Sequence, residues 1–159
     1  MKIVLASNNP GKLVELHAML APLGFELIPQ GALNISEAPE PLQTFVENAL
    51  AKARHAAQAS GLPALADDAG CCVDSFGGLP GVDTAYYATQ FGLEKGDNNN
   101  VRALLDQMKA IDNRRAALVS TLVAVRSAPA LIHISEPTRP LYISYAVFCL
   151  KKKILLRLI

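Results

Sequence analysis

The chain opens with KIVLASNNPGK at residues 2–12, in which a short apolar run leads into small polar residues. Residues 3–6 are predicted as a β-strand and residues 12–20 as a helix, whose apolar side chains recur every three or four positions. The junction between strand and helix leaves a row of free backbone N–H groups at the positive end of the helix dipole. Such a terminus suits a phosphate or carboxylate, and Lys12 adds a mobile cation. This junction is therefore the predicted anion site.

A second stretch, LADDAG at residues 65–70, places two aspartates at the end of another apolar run, in a predicted acidic turn. The neighbouring carboxylates Asp67 and Asp68 repel each other unless a cation or donor lies between them. Successive side chains of a strand face opposite sides, so we expect one aspartate in a cleft and the other in a supporting or capping role. Because carboxylates bind Mg²⁺, we expect the two stretches to hold a metal-bound nucleoside triphosphate between them. The alternative is a pair of solvated loop acids.

The composition bounds the class of protein. At 159 residues, 51% of them hydrophobic, the chain has the size of one ordinary domain with a buried core. A formal net charge of +1 gives no electrostatic reason to expect binding to nucleic acid or to an anionic membrane. Three cysteines, with Cys71 and Cys72 adjacent, do not suggest a disulfide framework, and reduced thiols indicate the cytoplasm. The first apolar run is too short for a signal peptide.

The order of predicted elements is typical of an α/β protein. Strands are predicted at residues 3–6, 25–28, 64–66, 71–73 and 116–125, and helices at about 12–20, 44–60 and 97–109. Thr44 and Glu47 form a capping box at the start of the second helix. Residues 116–125 are predicted as a central strand. The apolar faces of the two later helices consist of Val46, Ala49, Leu50, Ala53 and Ala57, and of Val101, Leu104, Leu105 and Met108.

Residues 31–43 form a predicted loop that carries acidic side chains. Glu40 has no helix to cap and is the freer carboxylate for a metal, whereas capping is sufficient to explain Glu47. Whether Glu37 or Glu47 joins a metal site stays open at this point. Tyr86 and Tyr87 are expected either to line a pocket or to pack in the core.

The candidate residues favour phosphoanhydride hydrolysis. The opening loop matches neither the Walker nor the dinucleotide-binding pattern, and no Ser/His/Asp set or Cys/His metal spacing is evident. What remains is Lys12 with backbone amides on one side, and Glu40, Asp67 and Asp68 on the other. A metal would neutralise the triphosphate, a carboxylate would orient or deprotonate water, and the lysine would hold the phosphate charge.

Four ordered motifs carry a family resemblance that covers about residues 1–128. They are ASNNPGK at residues 6–12, TFVENALAKAR at 44–54, GLPALADDAG at 61–70 and GGLPGVDTA at 77–85. In this order and spacing they resemble the inosine-triphosphatase-like family, the pyrophosphatases of non-standard purine nucleoside triphosphates. The related septum-inhibitor-like pyrophosphatases are the alternative, but those prefer a serine-proline-arginine pattern that Asn9, Pro10 and Gly11 do not supply.

The resemblance implies hydrolysis of dITP, ITP or XTP to the monophosphate and pyrophosphate, with Mg²⁺, in a cytoplasmic homodimer that cleans the nucleotide pool. It implies a mixed α/β fold in which an elongated β-sheet with flanking helices surrounds a central nucleotide cleft. The substrate-binding residues it implies are Ser7, Asn8, Asn9, Pro10, Gly11, Lys12 and Ala69. Asp68 is implied as the proton acceptor, with Lys12 as the second catalytic group. Mg²⁺ is implied at Asp68 and Glu40.

The chain departs from the family pattern at several points. Ala69 replaces the usual serine and so lacks a hydroxyl contact, and Tyr86 stands where an arginine is common. The later F-G-Y-D-P-type and S-H-R-type motifs, which in the family help to recognise the base, are not found. The C-terminal part of the family fold is therefore expected to be missing.

Residues 129–159 do not continue the α/β rhythm and are interpreted as a non-family tail, from a frameshift or an adaptor sequence. Its apolar run at residues 141–150 is about half the length of a membrane-spanning helix. A structural or irrelevant role is favoured for the lone His133. Two further alternatives stay open: an inactive truncated remnant that binds phosphate weakly, and a tail-anchored membrane protein.

Overall fold

The computed structural model of the chain describes residues 1–126, 145–148 and 156–157. Its strands and helices, in chain order, are β1 (Lys2–Leu5), α1 (Pro10–Leu20), β2 (Glu26–Pro29), α2 (Phe45–Ser60), β3 (Ala64–Val73), α3 (Asp97–Gln107), β4 (Arg115–Val125), β5 (Tyr145–Phe148) and β6 (Leu156–Arg157). Short 3-10 turns lie at Ala21–Leu23, Gln30–Leu33, Asp74–Phe76 and Gly81–Phe91. The predicted α/β class is confirmed, and so is the central strand, because β4 lies between β3 and β5.

The described residues form two compact units, of which the first contains residues 1–42, 46–67, 122–126 and 145–148. Strands β2 and β3 both pair in parallel with β1, and β5 pairs antiparallel with β4, so the sheet is mixed. The strand order is β2–β1–β3–β4–β5. Parallel neighbours need a crossover connection, which α1 provides between β1 and β2.

The core of the first unit is built from small side chains. Four alanines of α2 pack with valines and alanines of the sheet; the buried cluster is Val4, Ala6, Ile35, Ala49, Ala53, Ala56, Ala57, Ala64, Ala66, Val123 and Val125. Short side chains let the helix approach the sheet closely. Val46, predicted on this face, is 38% exposed in the first turn of α2, and Ala56 and Asn48 are buried instead.

The second unit contains residues 43–45, 68–121 and 156–157. Its core joins the end of β3 to α3 and the start of β4; the buried residues are Val73, Tyr87, Ala88, Ala103, Leu104, Met108 and Ala116. The ring of Tyr87 packs edge-on against Phe91, with centroids 5.1 Å apart. Tyr86 is 51% exposed, and its ring lies beneath Lys95 Nζ. Of the two tyrosines, Tyr87 therefore packs in the core.

The structure differs from the prediction at the two aspartates. Residues 64–73 form one continuous strand, β3, so Asp67 and Asp68 lie in its interior and the predicted acidic turn is wrong. Both side chains are buried, 8% and 7% exposed, which excludes the alternative of two solvated loop acids. On α3 the predicted apolar face is also partly wrong, because Val101 is 57% exposed and Ala103 is buried.

The interpretation of residues 129–159 as a non-family tail, including His133, lies outside the described residues except at β5 and β6. Of these two short strands, β6 pairs antiparallel with the start of β4, in register at Arg115 and Arg157. Within the described part of the chain, no helix combines the length and apolarity needed to cross a membrane.

Candidate functional site

A cavity of about 330 Å³ lies in the first unit, where β1 passes into α1. Its lining residues are Ala6, Ser7, Asn8, Asn9, Lys12, Gln30, Glu37, Ala38, Glu40, Lys52 and Asp67. All except the two alanines are polar or charged. The cavity lies just beyond the carboxyl ends of the parallel strands β1 and β2, the usual place for ligands in α/β sheets. Its lining suits a charged, polar ligand.

The first turn of α1 is capped by the chain's own side chains. Asn9 Oδ1 accepts hydrogen bonds from the backbone N–H groups of Gly11 at 2.9 Å and Lys12 at 3.3 Å. Ser7 Oγ in turn accepts from the backbone N–H of Asn9 at 3.2 Å. The predicted row of free amides is therefore wrong at these three positions, because asparagine is among the best N-cap residues. An anion in this cavity must be bound by side chains or must displace the cap.

Lys12 and Asp67 form an ion pair in the cavity, with Nζ 2.7 Å from Oδ2. Asp67 is largely enclosed, whereas 36% of the Lys12 side chain is exposed. The other carboxylate oxygen, Asp67 Oδ1, is buried without a hydrogen-bond partner in the described structure. A buried polar atom without a partner is uncommon in native proteins, so this oxygen is a candidate ligand for a cation. Asp67 thus pairs one carboxylate oxygen with Lys12 and keeps the other without a hydrogen-bond partner.

The loop before α2 supplies two more carboxylates. Asn8 Nδ2 donates to Glu37 Oε1 at 3.0 Å, so that the loop is connected to the segment after β1. Glu40 Oε1 lies 3.3 Å from Nζ of Lys52, which α2 contributes. The cavity therefore contains two lysine ammonium groups and three carboxylates. A bound triphosphate would compete with these carboxylates for the two lysines.

The structure brings together some of the predicted site residues and not others. Ser7, Asn8, Asn9, Lys12 and Glu40 all line the cavity, and their expected substrate-binding, catalytic and metal-binding roles stay predictions. Asp67, predicted only as one member of an aspartate pair, lines it with them.

Four predicted site residues do not line this cavity. Pro10 and Gly11 are exposed in the first turn of α1. Asp68 and Ala69 belong to the second unit; Asp68 is buried and has an interaction partner. The catalytic and metal-binding roles expected for Asp68, and the substrate contact expected for Ala69, stay predictions.

Three lining residues had no role in the sequence argument, or only an open one: Gln30, Glu37 and Lys52. Gln30 directly follows β2 and is 3% exposed, so its position after a parallel strand was a usable signal. Lys52 lies four residues after the buried Asn48, on the same side of α2. On the same helix, the capping pattern of residues 44–47 singles out Glu47, but Glu47 does not line the cavity.

The fit of Mg²⁺ depends on the donor set. Carboxylate oxygens are the ligands that Mg²⁺ prefers, and Asp67 Oδ1 offers one without a partner. In the described part of the chain no three His, Cys, Asp or Glu side chains converge as a closed metal cage. Mg²⁺ in nucleotide enzymes is commonly bound by one or two carboxylates together with phosphate oxygens and water. The residues present fit that open arrangement.

Comparison with known proteins identifies relatives along most of the chain. It is 82% identical over 127 residues to a dITP/XTP pyrophosphatase from Albidiferax ferrireducens, covering 80% of this chain and 64% of the relative. It is 76% identical over 131 residues to a protein of the same name from Polaromonas naphthalenivorans, covering 80% and 65%. The chain therefore spans slightly less than two thirds of the length of these relatives.

Solved structures show the same fold. A HAM1 protein from Coxiella burnetii superposes with a TM-score of 0.74 at 37% identity, covering 82% of this chain and 66% of that one. The Ham1 protein of Staphylococcus aureus superposes with a TM-score of 0.70 at 30% identity, covering 93% and 68%.

The sequence pattern of the Ham1 family matches residues 3–138. The match includes all four motifs on which the resemblance was based, at residues 6–12, 44–54, 61–70 and 77–85. The chain belongs to the Ham1 family.

Proposed function

We propose that this chain hydrolyses non-standard purine nucleoside triphosphates, dITP, ITP or XTP, to the monophosphate and pyrophosphate with the assistance of Mg²⁺. The family and the names of the relatives from Albidiferax and Polaromonas support the reaction class. The observation that carries the proposal is the combination of Lys12, Lys52 and the vacant oxygen of Asp67 in one polar cavity.

The phosphate chain is expected to bind the two lysines. Lys12 is already paired with Asp67, so an incoming phosphate must share this ammonium group or replace the carboxylate. Lys52 is paired with Glu40 in the same way. Charge-assisted hydrogen bonds from lysine to phosphate oxygens are strong enough to compete with such pairs.

Asp67 Oδ1 and the loop acids Glu37 and Glu40 are the groups in the cavity that would hold the metal. A bound Mg²⁺ supplies charge neutralisation on the phosphate chain and orients its oxygens. In the reaction, water adds across the bridge between the α- and β-phosphates, so that the nucleoside monophosphate and pyrophosphate separate. A carboxylate is needed to accept the proton of that water.

Two adjacent aspartates are candidates for the proton acceptor. Asp67 lies in the cavity, and the family resemblance assigns the role to its neighbour Asp68. Single Asp67→Asn and Asp68→Asn variants separate the two roles, because the amide keeps the shape and removes the base. If Asp68 is the base, Asp68→Asn lowers kcat even at saturating Mg²⁺. Asp67→Asn, in contrast, mainly raises the Mg²⁺ concentration for half-maximal rate.

The assay is pyrophosphate release from dITP and XTP by the full chain with Mg²⁺, with dATP as the comparison substrate. We expect Lys12→Met to reduce kcat/KM by about 100-fold or more, since one preorganised charged contact is worth about 3 kcal/mol in such sites. The matched control is Lys109→Met, an exposed lysine outside the cavity, which should keep wild-type activity. A folded wild-type chain that releases no pyrophosphate from either substrate would refute the proposal.

A binding measurement tests the alternative that the chain is an inactive truncated remnant. Inosine triphosphate with Mg²⁺ that raises the melting temperature without turnover would indicate a non-catalytic binding fragment, since a ligand at 100 times its dissociation constant adds about 2.7 kcal/mol. A homodimer and a cytoplasmic location also belong to this proposal, on the family resemblance. Sedimentation equilibrium of the full chain tests the dimer.

A further inference from the structure

Residues 35–42, which we name the acidic loop, contain no regular secondary structure but carry Glu37, Ala38 and Glu40 into the cavity wall. A backbone without helix or strand partners must find its hydrogen bonds elsewhere. Unless it is held, such a segment samples many conformations, and ordering it costs conformational entropy. The position of Glu37 and Glu40 therefore depends on what holds the loop.

Three side chains of α2 hold the acidic loop, in reverse order along the chain. Asn48 forms two hydrogen bonds with the backbone of Leu42: its Oδ1 accepts from the N–H at 3.1 Å and its Nδ2 donates to the carbonyl at 3.0 Å. Lys52 pairs with Glu40. His55 Nε2 lies 2.9 Å from the carbonyl oxygen of Ser36.

The spacing explains why one helix can do this. Asn48, Lys52 and His55 stand at positions i, i+4 and i+7, which form a single stripe on a helix. We name them the α2 stripe. The loop runs antiparallel along it, so that Leu42, Glu40 and Ser36 are met in turn.

The contact with Ser36 shows that the Nε2 atom of the His55 ring carries a hydrogen. A backbone carbonyl can only accept, so Nε2 must carry a hydrogen and donate it to Ser36. The hydroxyl of Ser36 lies 3.4 Å from the same nitrogen, a second and weaker contact.

His55 differs from the other members of the α2 stripe. Asn48 is 2% exposed and belongs to the core, and Lys52 lines the cavity itself. His55 is partly exposed and does not line the cavity, so its contact with Ser36 can be removed without changing either core packing or ligand contacts.

We propose that His55 is a positioning residue, which fixes the start of the acidic loop and thereby holds Glu37 and Glu40 in the cavity wall. The hydrogen bond lies one residue before Glu37, whose carboxylate also receives the Asn8 amide. Loss of the His55 contact leaves the backbone before Glu37 without this hydrogen bond, while the side-chain contacts at Glu37 and Glu40 and the Asn48 bonds at Leu42 remain. The segment that carries Glu37 then opens more often.

The first test is digestion of the full chain by a glutamate-specific protease, and it does not depend on activity. The rate of cleavage of the Glu37–Ala38 bond is proportional to the fraction of molecules with an open loop, provided that the loop opens and closes faster than the protease cuts. One net hydrogen bond corresponds to about a 2- to 10-fold change in that population. We expect His55→Ala to be cleaved faster by this factor. The bond after Glu94, in an exposed segment before α3, should be cleaved at an unchanged rate in the same digest.

Two variants control this experiment. His55→Gln keeps a side-chain N–H that can reach the Ser36 carbonyl and should restore the slow cleavage. His17→Ala removes an exposed histidine of α1 and should behave as wild type. Wild-type cleavage of His55→Ala, or a His55→Gln variant as fast as His55→Ala, would overturn the proposal.

The second test rests on the proposed function and measures pyrophosphate release at varied Mg²⁺. His55→Ala should raise the Mg²⁺ concentration for half-maximal rate by about 2- to 10-fold and lower kcat at saturating Mg²⁺ less. His55→Gln should restore it. An unchanged Mg²⁺ dependence in a variant with faster loop cleavage would limit His55 to loop order and refute its link to the site. A wild-type chain without activity refutes the proposed function, while the digestion still decides the role of His55.

Discussion

Asp67 in the first unit and Thr84 in the second unit use their hydrogen-bonding atoms differently. In the first unit, Asp67 is enclosed beside Lys12 and keeps one oxygen without a partner. In the second unit, Thr84 uses its one hydroxyl twice. Its Oγ1 accepts from the backbone N–H of Cys71 at 2.8 Å and donates to the carbonyl of Gly81 at 2.6 Å.

This difference separates function from folding. A partly buried hydroxyl that satisfies two backbone partners, as Thr84 does, is explained by the fold alone. The buried Asp67 oxygen without a protein partner is not explained by folding in this way, and a bound cation is a candidate partner for it. We therefore expect substitutions at the packed positions Gly70 and Thr84 of the second unit to change stability, and those at residues lining the cavity to change chemistry, with the acidic loop as an intermediate case.

The largest effect is expected at Gly70, in β3 of the second unit. A Cβ at this position would overlap the carbonyl oxygen of Gly81 and lie 2.7 Å from Thr84 Oγ1 and 2.9 Å from the Phe45 ring. Because backbone atoms cannot give way cheaply, we expect Gly70→Ala to lower the free energy of unfolding by about 3 kcal/mol or more. Urea unfolding measures it.

The control for Gly70 is Gly96→Ala, because a Cβ at Gly96 meets nothing within 4 Å. Its stability should stay within about 0.5 kcal/mol of wild type. Equal stability of the two variants would mean that the second unit is not closely packed at Gly70, and the contrast between the units would fail.

The next effect concerns Asn48, where the first unit does use a polar side chain for folding. Asn48→Ala leaves the N–H and carbonyl of Leu42 without their partner, which costs about 2 kcal/mol. The matched control is Asn99→Ala, which removes one exposed bond to the Glu94 carbonyl and should cost about 0.5 kcal/mol. Thermal unfolding of the two variants compares them, and an equal loss would show that the bonds to Leu42 are not special.

Much of the fold could be predicted from the periodicity of apolar residues and from the glycine, proline and capping residues at the ends of elements. The apolar run of β4 and the bounds of α2 were predicted correctly within one residue, since long periodic segments carry the strongest signal. The continuity of β3 through Asp67 and Asp68 could not be predicted, because two adjacent carboxylates are typical of a turn. Only tertiary burial keeps them in the strand.

The site was predictable in composition but not in geometry. The polar residues after β1 and the acid Glu40 were identified from their types and their place after a strand. Which aspartate faces the cavity depends on the pleat register of β3, and that register follows from pairing between distant strands. The side-chain cap by Asn9 was missed because the argument counted backbone amides without assigning a cap residue.

A smaller effect is expected at Thr84. Thr84→Val keeps the shape of the side chain and removes both hydrogen bonds, so the Cys71 N–H and the Gly81 carbonyl lose a partner. We expect a loss of about 1.5 kcal/mol. Thr84→Ser keeps the hydroxyl and should recover most of the stability. Chemical denaturation decides this, and a Ser variant as weak as Val would assign the effect to the methyl group instead.

The smallest effect is expected at Cys71, and it is a pH dependence. Burial, and then repulsion from Cys72, raises the pKa of the Cys71 thiol above its ordinary value of 9.0. Folding therefore favours the neutral thiol: its contribution to stability is fully present below about pH 9 and is lost as the pH rises through the folded-state pKa. Unfolding free energies from pH 8 to 10.5 should fall less steeply in Cys71→Ala than in wild type. Parallel curves would show that this thiol ionises as freely in the folded second unit as in the unfolded chain. At Cys71, by contrast with Asp67 in the cavity, we expect packing to keep a partly buried ionisable group neutral rather than a cation to pair with its charge.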